Sequence, residues 1–314
     1  MPVRAFVFPG QGSQAVGMGK ELAAAFPVAR ETFEEVDEAL KQNLSRLIFE
    51  GPAEELTLTA NAQPALMAVS LAVVRVLARE GGLRVAEGCA LVAGHSLGEY
   101  SALAAADSFT VTEAARLLRL RGEAMQKAVP PGEGAMAALL GIEADEARAV
   151  CAEAASGEVV EVANDNGGGQ VVISGAAAAV ERAIAAAKAR GVKRAIPLAV
   201  SAPFHCALMA PAAEAMAKAL AATPPRPPVV PLVPNVTATP TDDPEEIRDL
   251  LIRQVTGTVR WRESVAAMKE AGVDTVVELG AGKVLAGLVK RIDPELTALS
   301  VGTPGEIEAF LKTV

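Results

Sequence analysis

The sequence predicts an α/β protein with a mainly parallel sheet, and three features of its patterning carry that prediction. Short apolar runs of strand length alternate with longer segments of helical periodicity along most of the chain. Several of the runs end at glycine, as strands do where they turn into a following helix. Between residues 131 and 199 the order changes to β-α-β-β-α-β, the ferredoxin-like arrangement, which predicts a small domain inserted into a larger one. The expected division is therefore 1–130 with 200–314 as the large domain and 131–199 as the small one.

Taken in order, "RAFVFPG" (4–10) reads as a buried strand ending in glycine. "GKELAAAFPVARETFEEVDEAL" reads as one helical stretch, and "NAQPALMAVSLAVVRVLAREGG" as another, closed by Gly81-Gly82. "CALVAGHS" is the next strand, followed by "TVTEAARLLRLRGEAMQKAV", a helix opened by the capping box Thr110 and Glu113. The inserted section runs "AMAALLG", "EADEARAVCAEAA", "VVEVAND", "VVISG", "AAVERAIAAAKARG" and "KRAIPLAV". Beyond it "VVPLVPNVTA", "DTVVELG" and "LTALSVG" read as strands, with helices over 244–256, 260–271 and 283–292.

Composition narrows the function classes. With 51% apolar and only 3% aromatic residues, the core must be built from Ala, Val and Leu. A net charge of −9 argues against a general nucleic-acid binder. The three cysteines are far apart and form no C-x-x-C, as expected for reduced thiols in the cytoplasm. Two histidines are too few for a histidine-based metal centre. The opening "MPVRAFVFPG" lacks the layout of a signal peptide, and "PALMAVSLAVVRVLARE" meets Arg75 too soon for a membrane span. These readings predict a soluble cytoplasmic protein, without membrane or nucleic-acid partners.

"VAGHSLGEYSALAAA" (92–106) carries the strongest chemical signal. Gly94-His95-Ser96-Leu97-Gly98 is G-x-S-x-G between an apolar strand and a helix, the context of a nucleophile elbow; the competing reading is a chance match. His95 adjoins the serine, but neighbouring side chains at a strand end point to opposite sides, so its expected role is packing beneath the elbow. If Ser96 is a nucleophile it needs an imidazole base, and His205 in "AVSAPFHCALMAP" is the remaining candidate. The N–H of Leu97 and a backbone N–H near Gln11, in the turn "FPGQGSQ", could form an oxyanion hole. The same turn matches G-x-G-x-x-A, but a long helical stretch follows where the dinucleotide fingerprint needs a strand ending in an acid. "GAGKV" (280–284) lacks the first glycine and the Ser/Thr of a P-loop.

Arg121 falls in the middle of an apolar helical stripe made by Ala114, Leu117, Leu118, Ala124, Met125 and Ala128. Arg116, Arg119 and Glu123 lie opposite, toward solvent. A guanidinium on a buried face cannot shed its charge and needs an anion. That anion could be an internal Asp or Glu, or a substrate carboxylate.

In order and spacing, "FPGQGSQ", "NAQPALM", "GHSLGEYSAL", "RG-EAMQ", "GQVVISG", "PFHCALM", "PNVTA" and "VELGAGKVL" resemble the malonyl-CoA:acyl-carrier-protein transacylases, acyltransferases of fatty-acid and polyketide synthesis. The resemblance runs from residue 5 to about 290. It implies a hydrolase-like α/β domain with a ferredoxin-like insert, Ser96 as acylated nucleophile and His205 as base. It implies Gln11 and Leu97 as oxyanion donors, Arg121 as the ligand of the malonyl carboxylate, and Gln63 as pocket wall. A backbone carbonyl near Gln254 would orient the histidine in place of a third acid. Asn166 matches a position near the pantetheine arm, although Gly167-Gly168 stand where the family more often has Ser-Pro. Leu97 and Phe204 resemble malonyl-selecting rather than methylmalonyl-selecting members.

The implied activity is ping-pong malonyl transfer from malonyl-CoA to acyl carrier protein by a monomer. It needs no resident cofactor or metal, and coenzyme A leaves as product. A serine thioesterase or esterase would share the elbow and the histidine but leave the buried arginine unexplained. A non-catalytic carrier-binding homologue would not need Ser96, His205 and Arg121 together. The negative net charge suits an acidic carrier poorly, so docking would need a local basic face.

Overall fold

The computed structural model describes residues 2–314. Its first strands are β1 (Arg4–Phe8) and β2 (Leu91–Gly94). Then come β3 (Gly134–Leu140), β4 (Val160–Asp165), β5 (Gln170–Ala176) and β6 (Arg194–Pro197). The last are β7 (Leu232–Val233), β8 (Thr275–Leu279) and β9 (Thr297–Val301). One sheet has the order β7-β2-β1-β8-β9, and its neighbouring strands pair in parallel. The other has the order β4-β5-β3-β6, and its neighbours pair antiparallel.

The parallel sheet is covered on both faces, which is why its inner strands read as nearly unbroken apolar runs. Alternate residues of β1 divide between two cores. Phe6 and Phe8 pack with Val92, Val277 and the helices Thr59–Gly81 and Val111–Ala128. Ala5 and Val7 pack on the other side with Trp261, Val265, Leu285 and Val289. The small sheet has a third core, in which the helices Ala144–Ala154 and Ala177–Ala189 cover one face through Ala147, Val150, Ala183 and Ala187. The segment ahead of the helix Trp261–Glu270 bonds to β4 of the small sheet. Val259 donates its N–H to Ala163 O and accepts from Asp165 N–H, at 2.8 and 2.9 Å. The buried Asp165 carboxylate also pairs with Arg262 at 3.0 Å.

Three local expectations change. The stretch 19–40 is two helices, Lys20–Ala25 and Pro27–Leu40, because Phe26 turns extended ahead of Pro27, which starts the second helix. "VVPLVPNVTA" supplies only the two-residue β7, since Pro231 and Pro234 on either side have no N–H for a ladder. The helix Thr59–Gly81 is long and apolar enough to cross a membrane, so Arg75 does not cut the stretch short; 83% of its most apolar window is buried inside the protein.

Candidate active site

β2 ends at Gly94, and the helix Gly98–Ala105 starts four residues later, so the chain reverses within His95-Ser96-Leu97. Ser96 takes a left-handed backbone with φ 54°, a conformation that costs a non-glycine residue energy and must be held by its surroundings. Both flanking glycines are obligatory. A Cβ on Gly94 would lie 1.9 Å from Gly98 O, and one on Gly98 would lie 2.2 Å from Phe8 O. The buried Asn235, in the segment after β7, clamps the turn from both ends. Its Oδ1 accepts the Ser96 N–H at 2.8 Å, and its Nδ2 donates to Gly94 O at 2.7 Å.

His205 also has a left-handed backbone, φ 58°, in the loop before the helix Ala210–Ala222. Its Nδ1–H donates to the backbone carbonyl of Gln254 at 2.9 Å. A carbonyl can only accept, so Nδ1 carries the proton and Nε2 is free to accept the Ser96 hydroxyl, 2.7 Å away. Burial, and then the charge of Arg121, hold the imidazole pKa down to about 3, so the ring is neutral at physiological pH.

Arg121 is buried on the inner face of its helix. Nη1 donates to Gln63 Oε1 at 2.8 Å, and Nη2 to Gln254 Oε1 at 2.8 Å and more loosely to Ser96 Oγ at 3.3 Å. Tyr100 presents its ring 5.8 Å from the guanidinium carbon. These partners are neutral: among the described residues no Asp or Glu forms an ion pair with Arg121, and its Nε–H has no partner. The internal-acid alternative therefore fails in its direct form. Desolvation lowers the arginine pKa, but a guanidinium remains charged.

Ser96, His205, Arg121, Gln63, Phe204 and Asn166 all border one cavity of about 400 Å³, and Gln11 and Gly12 lie along its wall. Neither the Gln11 nor the Leu97 N–H donates a hydrogen bond among the described residues. Leu97 itself is buried, and Gln254 is behind the cavity rather than on its surface. The Gln63 amide is fixed by Nε2 donating to Thr59 Oγ1 at 3.0 Å, and Thr59 also donates to Gln11 Oε1 at 2.9 Å.

Two expectations need correction. His95 does not pack beneath the elbow; it borders the cavity, with Nε2 2.9 Å from Asn166 Oδ1 and its ring against Trp261. Arg119 is half-buried rather than in solvent, and bonds the side chains of Asn61 and Gln42. Sequence reasoning also missed Asn235 and Glu99. Asn235 lies inside "PNVTA", but nothing in that string indicates which backbone groups it would clamp. Glu99 did leave a signal, as the one charged residue in "LGEYSALAAA". It is fully buried and contacts Gln254 and Asn235.

Comparison with known proteins places the chain in a family. The acyl transferase domain family matches residues 5–294. The malonyl CoA-acyl carrier protein transacylase of Escherichia coli (strain K12) is 49% identical over 308 residues, covering 98% of each chain. The crystal structure of the acyl-carrier-protein-S-malonyltransferase from Bartonella henselae superposes with a TM-score of 0.97 at 56% identity, covering 99% of each chain. A malonyl-transacylase solved in complex with a type II PKS acyl-carrier protein superposes with a TM-score of 0.96 at 46% identity, covering 99% of this chain and 100% of that one.

Proposed function

The chain belongs to the acyl transferase domain family, and on that premise we propose that it moves malonyl groups from malonyl-CoA to the phosphopantetheine thiol of an acyl carrier protein, in fatty-acid biosynthesis. The observation that carries this reading is a buried arginine, unpaired by any carboxylate, one hydroxyl away from the serine–histidine pair. A simple esterase has no use for such a cation, whereas a malonyl thioester brings a free carboxylate to exactly such a donor set. The carboxylate would take the guanidinium edge now spent on the long contact to Ser96.

In this mechanism the Ser96 hydroxyl attacks the thioester carbonyl as its proton passes to His205 Nε2. The N–H groups of Gln11 and Leu97 hold the tetrahedral oxyanion. When it collapses, the C–S bond breaks, the proton leaves His205 with coenzyme A, and malonyl remains esterified to Ser96. The carrier thiol then gives its proton to His205, attacks the ester and releases Ser96, which regains a proton from the imidazolium. Gln254 orients His205 through its backbone carbonyl, Phe204 and Gln63 shape the pocket, and Asn166, on the cavity wall, would contact the pantetheine arm. The chain's own side chains supply every proton transfer, with no resident metal or cofactor, in a cytoplasmic monomer. We read residues 131–199 as a ferredoxin-like insert on a hydrolase-like domain, supported by the strand order of the small sheet. The complex with a type II PKS carrier gives a polyketide carrier as second reading.

The test is intact mass after mixing with malonyl-CoA alone, followed by holo acyl carrier protein. A malonyl adduct that disappears in Ser96→Ala and moves to the carrier is expected. Prompt release of free malonate would instead make the protein a hydrolase.

A further inference from the structure

One charged group in the site has no part in the steps above. Glu99 sits in the first turn of the helix Gly98–Ala105 with none of its surface exposed. Its Oε2 accepts from Gln254 Nε2 at 2.7 Å and from the Asn235 N–H at 3.2 Å, and its Oε1 has no partner. The groups bonded to this carboxyl are donors, so a protonated Glu99 would have no acceptor for its own hydrogen. The helix N-terminus favours the anion as well. Burial opposes it and, against the downward pull of Gln254, Asn235 and Arg121, leaves the pKa raised to about 7.

The side chain of Gln254 ties this anion to the rest of the site. Its Nε2 also donates to Ser96 O at 2.8 Å and lies 3.2 Å from Asn235 Oδ1. Its Oε1 accepts from Arg121, and its backbone carbonyl accepts from His205. One residue therefore touches the cation, the anion, the base and the elbow. A buried guanidinium with no anion near it would be costly.

We propose that Glu99 is a positioning residue for acyl transfer, a counter-charge to Arg121 and His205 held one amide away by Gln254. A direct Glu–Arg pair would fill the guanidinium fork and close it to a substrate carboxylate. With the amide interposed, the cation is offset while the guanidinium edge toward Ser96 is left to a substrate carboxylate. The same negative charge lies behind the Gln254 residue that accepts from His205 Nδ1. It favours the imidazolium that forms as Ser96 gives up its proton, the role of a triad acid played at one remove.

This inference rests on the malonyl-transfer reading, and the experiment separates the two. Ser96 acylation is followed by rapid-quench mass at pH 8 with malonyl-CoA and with acetyl-CoA, in wild type, Glu99→Gln, Gln254→Ala and the double variant, with circular dichroism to confirm folding. No adduct in wild type would sink the functional reading itself. With wild type active, Glu99→Gln is expected to slow acylation about tenfold with both donors, without raising the half-saturating malonyl-CoA concentration. Gln254→Ala keeps the backbone carbonyl and should slow acetyl loading by a similar factor, and the double variant should be no slower than the slower single. Folded Glu99→Gln within twofold of wild type overturns the proposal, as does a loss confined to malonyl-CoA. Multiplying losses in the double variant overturn the route through Gln254. Should Glu99→Gln not fold, wild-type acetyl loading by Gln254→Ala has the same force.

Discussion

In their proposed roles of carboxylate ligand and base, Arg121 and His205 set conflicting demands on one another. A base must accept a proton, and a cation beside it makes that harder; the Arg121 charge is second only to burial in holding the His205 pKa down. A bound carboxylate would cancel that charge just when the proton arrives. Arg121→Ala is therefore expected to have two separable effects. Malonyl loading should fall on the order of a hundredfold, the scale for removing one partner of a buried charged contact, while acetyl loading is largely kept. Removing the cation also makes imidazolium less costly, so the His205 pKa rises and the acid limb of acetyl loading moves to higher pH. Malonyl and acetyl loading falling in parallel would remove Arg121 from carboxylate recognition. An acid limb that does not move would mean that His205 does not feel its charge.

The elbow is the element on which the proposed chemistry depends, and its cost is concentrated at Ser96. A left-handed serine persists because Asn235 and the two glycines leave it no alternative. Asn235→Ala would strand the Ser96 N–H and the Gly94 carbonyl, at about 1–3 kcal/mol each if no water reaches them, and let the turn relax. The expected result is a melting point several degrees lower together with slower Ser96 acylation. Ser101→Ala is the contrast: this hydroxyl, in the helix after the elbow, is buried without a partner, so its removal should leave both properties near wild type. If the two variants behaved alike, the clamp would have no special standing. The elbow was legible in sequence because steric crowding is written in residue types, as two glycines around a serine after an apolar run. The partners of that turn were not, since Asn235 and Glu99 act through contacts between positions 136 residues apart and more. Local breaks were legible only in part: Pro27 and the prolines around β7 are visible in the string, yet the apolar periodicity on either side outweighed them.

At the scale of the whole molecule, the site stores two buried groups whose ionisation is resisted in opposite senses, and the balance of stability against pH should show it. Glu99 has a native pKa near 7 against an ordinary 4.5. As pH falls from 8 to 5 the native carboxyl takes up a proton while the unfolded one largely does not, so acidification stabilises the fold, by about 3 kcal/mol. His205 has a native pKa near 3 against an ordinary 6.5. Over the same interval the unfolded imidazole takes up a proton and the native one does not, so acidification destabilises the fold, by about 2 kcal/mol. Glu99→Gln deletes the first of these contributions, and its stability relative to wild type should drop as pH falls from 8 to 5. His205→Gln deletes the second, and its relative stability should rise over that interval. Urea unfolding of the three proteins at pH 8, 6.5 and 5 reads the difference, because titrations elsewhere in the chain cancel between variant and wild type. Parallel curves for wild type and Glu99→Gln would mean that Glu99 titrates alike in the folded and unfolded chains. The deep, donor-surrounded carboxylate seen behind Gln254 would then carry no electrostatic cost for an acyl-transfer site to use.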